Sequence, residues 1–303
     1  MGLDINGVRF LFFIKKAGVD FTKTAMLGRQ QVTASEKELD SVLRDFGVLA
    51  NAAKLLSEEA GYAEPLLRVL GAKEICSFDA SSYEKATYVH DFNLPTPPDW
   101  DNRFTVFIDG GSLEHVLNYT IAVHSCMKMV QAQGHFVGLN PANNYFGHGF
   151  YQFNPELMFR VFCEKNGYAV RHLIVSEFRR PNWFEIADPS IRGERIYLIN
   201  YRKTNLLMMA QRIGEVPAAL VTSQQSDYVQ NWQLPKRKNS ELSAAKYFLK
   251  RIVPEGLRER IRFYRRYYLW KWNSGSFRLV KYGKDQTENA AFAEKSGNRP
   301  VQP

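Results

Sequence analysis

The sequence predicts an α/β fold, a doubly wound and largely parallel sheet covered by helices on both faces. Three observations carry that prediction. Short β-rich apolar runs alternate with longer stretches whose apolar residues recur at helical spacing. Four of those runs stop at an Asp or Asn: residues 74–78 before Asp79, 86–90 before Asp91, 104–108 before Asp109-Gly-Gly, and 135–139 before Asn140-Pro. Such endings suit the carboxyl edge of an open parallel sheet, where ligands bind. Finally, 303 residues with 45% hydrophobic and 23% charged content can bury a sizeable core and exclude a disordered chain.

The elements follow in order. Residues 7–17 read as a short amphipathic helix, and Thr24-Ala-Met-Leu-Gly28 is a brief apolar run ending at Gly. Thr33 or Ser35 caps a helix over 36–60, with Leu39, Val42, Leu43 and Phe46 on one stripe. The strand-like runs come next, and a helix over 113–132 separates the last two. Asn154 as cap, Pro155 in the first turn and Gly167 beyond the end predict a helix over 155–165. Residues 168–177 and 195–201 are two more β-rich runs. The α/β domain is therefore placed at 1–203, a linker at 204–240, a basic aromatic helical extension at 241–282 and a disordered tail at 283–303.

Charge is concentrated in that extension. Residues 236–282 hold 14 basic and 3 acidic residues, whereas 1–203 hold 22 and 23, so the net +9 says nothing about chemistry in the first two thirds. No apolar run approaches a membrane span, and no secretory h-region is visible at the N-terminus, so a cytoplasmic chain is expected. Three separated cysteines argue against a disulfide scaffold or a cysteine zinc site. No metal is expected: Asp109, His115 and His148 are the one set that could converge, and no His pair has i, i+4 spacing. There is no G-x-S-x-G, and Cys126 falls within a helix.

The strand ends at Asp79, Asp91 and Asp109, followed by Glu114-His-Val116 and then Gly134-His-Phe-Val137, resemble a class I S-adenosylmethionine-dependent methyltransferase over about residues 20–203. That resemblance implies a Rossmann-like sheet of seven strands, the last antiparallel and matched to 195–203. It also implies S-adenosylmethionine as cofactor: Asp79 on the ribose, Asp91 and Phe92 at the adenine, and Gly28, Arg29 and Gln30 at the methionine end, Arg29 facing its carboxylate and Gln30 its amine. More narrowly, residues 140–156 look like a signature of uncharacterised methyltransferase-like proteins of sugar or surface-polysaccharide clusters. One departure stands out. The family's [D/E]-x-G-x-G loop is replaced by Ala25-Met-Leu-Gly-Arg-Gln-Gln-Val32, which has one Gly and no acid. It supports a rival reading, a catalytically inactive binding or scaffold protein associated with polysaccharide biosynthesis.

Methyl transfer to a hydroxyl needs in-line alignment, exclusion of water and a base of near-neutral pKa. His115, at a helix start, and His148, between two glycines, are the candidate bases, with Asp109 beside them. Glu114 reads as a partner of this group or as a first-turn dipole residue. The polar-aromatic loop after the fourth run offers Asn143, Asn144 and Tyr151 to a small-molecule or saccharide acceptor. In the extension, Tyr, Trp and Arg interleave. That pattern predicts either packing on the domain or on a second copy in a homodimer, or docking of 241–282 on the anionic inner face of a membrane. Nucleic acid ranks last, because the fold domain is neutral and carries no nucleic-acid motif.

Overall fold

The computed structural model describes residues 2–192, 195–233, 253–269 and 276–280. Nine strands are present among them: β1 (Lys23–Leu27), β2 (Glu74–Asp79), β3 (Tyr88–Val89), β4 (Phe104–Asp109), β5 (Val130–Asn143), β6 (Tyr168–Glu177), β7 (Trp183–Ile186), β8 (Thr204–Arg212) and β9 (Phe277–Leu279). They form one sheet in the order β3-β2-β1-β4-β5-β8-β6-β7-β9. The first five are parallel. Their order, 3-2-1-4-5, is that of a doubly wound sheet, whose winding reverses beside β1 and opens a crevice at the carboxyl ends of β1 and β4. β8 runs antiparallel to both β5 and β6. The expected sheet with a late antiparallel strand is present, with nine strands in place of seven.

The helices are α1 (Ile5–Lys16), α2 (Glu36–Asp45), α3 (Ala52–Ser57), α4 (Glu64–Val69), α5 (Tyr119–Met129), α6 (Pro155–Val161), α7 (Pro189–Arg192), α8 (Ser226–Gln233) and α9 (Glu255–Leu269). Period-two alternation along the central strands divides the core between the two faces. Met26, Val106, Ile108, Val137, Leu207 and Met209 pack with residues of α1, α2 and α4. Leu27, Phe107, Phe136, Leu206 and Met208 pack with α5 and α6 on the other side.

Several expectations are corrected. α1 is not amphipathic: residues 5–14 are all buried, and Asp4 caps it by accepting from the Gly7 N–H at 2.8 Å. The helix over 36–60 is two helices, because Gly47 turns to φ +68 and Asn51 caps a new start. The helix over 113–132 is a 3-10 turn at Leu113–His115 followed by α5, and the chain enters β5 at Val130. α6 stops at Val161, short of 165.

The antiparallel strand is not 195–203, which forms no strand, but β8, in residues first read as linker. The sheet thus extends past the 1–203 boundary, and β9, from the basic extension, pairs with β7. The tail at 283–303 and the segment 241–252 lie outside the described residues. No helix among the described residues is long and apolar enough to cross a membrane.

Candidate functional site

The carboxyl ends of β1 to β4 surround a crevice of about 300 Å³, lined by Gly28, Arg29, Gln30, Asp79, Asp91 and Phe92, and also by His115. The six residues expected at a cofactor therefore converge on one space. Their chemistry differs from one to the next.

Gly28 has φ +70, and a Cβ there would fall 2.7 Å from Ser112 Oγ, so both conformation and space require glycine. Its N–H donates to the Phe78 carbonyl at 2.7 Å and ties the end of β1 to β2. Asp79 accepts from the Ser81 N–H at 3.1 Å. Asp91 accepts from the Asn93 N–H and amide, which hold its carboxyl below the usual range. Phe92 is buried and stands edge-on to Phe78 at 6.2 Å, which gives the crevice an apolar wall.

Arg29 does not offer a free guanidinium. It pairs with Glu64 at 2.6 Å and Glu59 at 3.2 Å and lies 4.1 Å over the Tyr62 ring. The expectation that it faces a cofactor carboxylate is corrected: it braces the loop after β1. Gln30 is buried in the place of the missing glycines. Its Nε2 donates to the Leu27 carbonyl at 2.6 Å, while Oε1 has no partner. Gly110 makes room for it, since a Cβ there would fall 2.4 Å from Gln30 Oε1.

A second cavity, of about 410 Å³, adjoins this crevice. Asp4, Gly110, Tyr145, His148, Lys203 and Asn205 are among its lining residues. The two spaces meet at the loop after β4: Gly110 lines the cavity, while Gly111, Ser112 and His115 line the crevice.

Behind that loop lie two buried acids. Asp109 is wholly buried, lines neither space, and accepts from the Ser112 N–H at 2.8 Å, the Leu113 N–H at 3.2 Å and the Asn140 amide. It shapes the loop and does not face an acceptor. Burial raises its pKa, and its three donors pull the other way. Glu114 is equally buried, and neither of its carboxylate oxygens receives a well-formed hydrogen bond. Burial and the neighbouring Asp109 charge push its pKa up to about 8, against a smaller pull from the Asn140 amide. Burial dominates at both carboxyls, and the difference between them is that donors engage the Asp109 oxygens while those of Glu114 have none of good geometry.

The His115 and His148 rings meet edge to face at 4.8 Å, and His148 Nε2 lies 3.7 Å from Glu114 Oε1. Burial lowers both pKa values and favours neutral, proton-accepting imidazoles.

The remaining loop residues are structural. Asn143 and Asn144 both donate to Asn200 Oδ1 at 2.9 Å, fastening the loop to residues 200–202. Tyr151 donates to the Leu117 carbonyl at 2.5 Å and packs on Tyr119. Sequence reasoning missed Asp4, which lies ahead of the expected first helix, and Lys203, which it counted within a strand; no local pattern marks either as a cavity residue.

No family model and no curated protein matches the chain. Solved structures resemble it. One is a protein from Bacillus halodurans named provisionally as a methyltransferase, at 11% identity over 67% of this chain and 98% of that one, TM-score 0.38. Another is an S-adenosylmethionine-dependent methyltransferase from Mesorhizobium loti, at 13% over 66% and 96%, TM-score 0.37. A third is the branched-chain polyamine synthase from Thermus thermophilus, in complex with N4-aminopropylspermidine and 5′-methylthioadenosine, at 15% over 72% and 58%, TM-score 0.35. These likenesses concern architecture alone, and what the site does has to be argued from its residues.

Proposed function

We propose that this chain transfers a methyl group from S-adenosylmethionine to an oxygen or nitrogen of a small-molecule or saccharide acceptor. One observation carries the reading: a crevice with strand-end carboxylates and an apolar wall adjoins a second, larger cavity, and two neutral histidines stand at the junction. The residues present fit the cofactor. Asp79 suits ribose hydroxyls, Phe92 the adenine face, and the unpartnered Gln30 Oε1 an ammonium. When bound, the cofactor supplies an activated methyl on sulfur.

The chain's own residues do the rest. Asp4, Tyr145, Lys203 and Asn205 set hydrogen-bonding groups around the cavity beside the apolar Leu139 and Leu207, a mixture that suits a polyhydroxylated ring. Asp4 Oδ2 is buried without a partner, an acceptor left for a ligand hydroxyl. His148 or His115 takes the acceptor proton.

Calorimetric titration with S-adenosylmethionine and S-adenosylhomocysteine tests this, with micromolar binding expected. No heat at millimolar ligand would favour the rival reading, a binding or scaffold protein. The Gln30 side chain, lodged where the family keeps glycines, is the observation on that side.

The basic extension is read as a docking element for the anionic inner face of a membrane. On α9, Leu257, Ile261 and Tyr264 are exposed among Arg258, Arg260 and Arg262, and Tyr201 holds the helix through Phe263 and Tyr267. Co-sedimentation with anionic liposomes, comparing the full chain with one ending near Pro235, tests it; equal binding by both removes the idea.

A further inference from the structure

We propose that Glu114, His115 and His148 bind one divalent transition-metal ion at the junction of the crevice and the cavity. The ligand atoms of these three side chains all lie within 4.8 Å of one another. Glu114 and His148 already stand 3.7 Å apart, a spacing that a single ion about 2.0–2.2 Å from each donor spans. His148 sits between Gly147, where a Cβ would meet nothing within 4 Å, and Gly149, where a Cβ would fall 2.8 Å from the Glu114 carbonyl oxygen, so the loop has open space on one side and is held close to Glu114 on the other.

Three further features point to a cation. Both Glu114 oxygens are buried without a well-formed hydrogen bond, and a buried carboxylate in that condition is costly unless it is protonated or given a positive partner. Among the described residues no side-chain cation other than His148 lies within salt-bridge reach of Glu114. His148 Nε2 is likewise buried and unpartnered, which leaves a ring nitrogen free to ligate.

The donor set decides the class of metal. Two imidazole nitrogens and one carboxylate oxygen suit zinc, cobalt, iron or manganese, whereas magnesium and calcium prefer oxygen throughout. Three protein ligands leave coordination positions open, the pattern of a working site and not a structural one. Asp109 is excluded from the set, since its oxygens are engaged by Ser112, Leu113 and Asn140.

Binding of the ion stands by itself. With the ion bound the two imidazoles are ligands and not bases, so its role, polarising an acceptor oxygen so that the proton leaves more readily to solvent, replaces the histidine base of the methyl-transfer reading on which it otherwise rests.

The test uses the full chain stripped with a chelator and titrated with zinc chloride by calorimetry, without cofactor. Cobalt absorption spectroscopy reports coordination geometry in parallel. One equivalent is expected to bind, at least about tenfold more weakly to His148→Ala and to Glu114→Gln, and unchanged to His124→Gln. His148 lies on a partly exposed loop, so its variant should keep the fold, and melting temperature checks this. Magnesium should produce no comparable heat. Absence of stoichiometric zinc binding, equal affinity in His148→Ala, or magnesium binding as tight as zinc would each overturn the proposal. Because cofactor is absent, zinc binding can succeed while S-adenosylhomocysteine binding fails, so the two readings fall separately.

Discussion

Asp91 and Glu114 both follow a parallel strand at the same edge of the sheet, and they end up in opposite states. Asp91 is exposed, and the Asn93 N–H and side-chain amide solvate it, so its carboxyl is held low. Glu114 is sealed between the loop after β4 and the loop after β5, with Asp109 beside it, and its carboxyl is held high. A place at a strand end is therefore not a chemical role. The role depends on which donors and how much water the next few residues supply.

That contrast can be broken or sharpened by substitution. The largest effect is expected inside the sealed region. Asn140→Ala removes a donor from the wholly buried Asp109 and should cost about 3 kcal/mol or more, read from urea unfolding. Near-normal stability would mean that the buried acids do not depend on that amide.

Next comes a control outside both regions. His135 in β5 is buried, and desolvation, with a smaller contribution from Arg171, lowers its pKa to about 4. The unfolded chain takes up this proton near the ordinary value and the folded chain only near 4. The contribution is complete above about pH 6.5 and is lost as pH falls toward 4, at most about 3 kcal/mol. His135→Phe should flatten the stability profile between those pH values; an unchanged slope would place acid sensitivity elsewhere.

In the open region the effects are smaller and concern ligand more than fold. Asp79→Ala should weaken S-adenosylhomocysteine about 10- to 100-fold by calorimetry, the worth of hydrogen bonds to a charged group. Arg29→Ala should change that affinity less than about threefold while lowering stability by about 1 kcal/mol, because its partners are Glu59, Glu64 and Tyr62. A large loss of affinity without loss of stability would restore Arg29 to the cofactor.

How legible the sequence was differs between the two ends of the sheet. Residues 74–79, 104–109 and 168–177 announce themselves, because β-branched and aromatic residues fill strands buried on both faces. β8 does not. Thr204-Asn-Leu-Leu-Met-Met-Ala-Gln-Arg212 is rich in residues that favour helix, while 195–201 has the better strand composition and forms none. Only the slot between β5 and β6 selects the former, and a slot is a long-range property.

The crevice residues were readable for a related reason: each sits at, or within three residues of, the end of a strand. Asn143, Asn144 and Tyr151 were misread because a polar loop has the same composition whether it binds a ligand or fastens itself to Asn200 and Leu117. Glu114 was named, but its isolation from hydrogen-bond donors is visible only in three dimensions.

The position of β8 also sets a timetable for synthesis. As the chain leaves the ribosome, β1 to β5 can assemble as a finished block. β6 has no neighbour on its β8 side until about 35 further residues, up to Arg212, have emerged. At ordinary translation speeds that interval is on the order of seconds. For that time the nascent protein presents two raw strand edges, those of β5 and β6, to every other chain nearby.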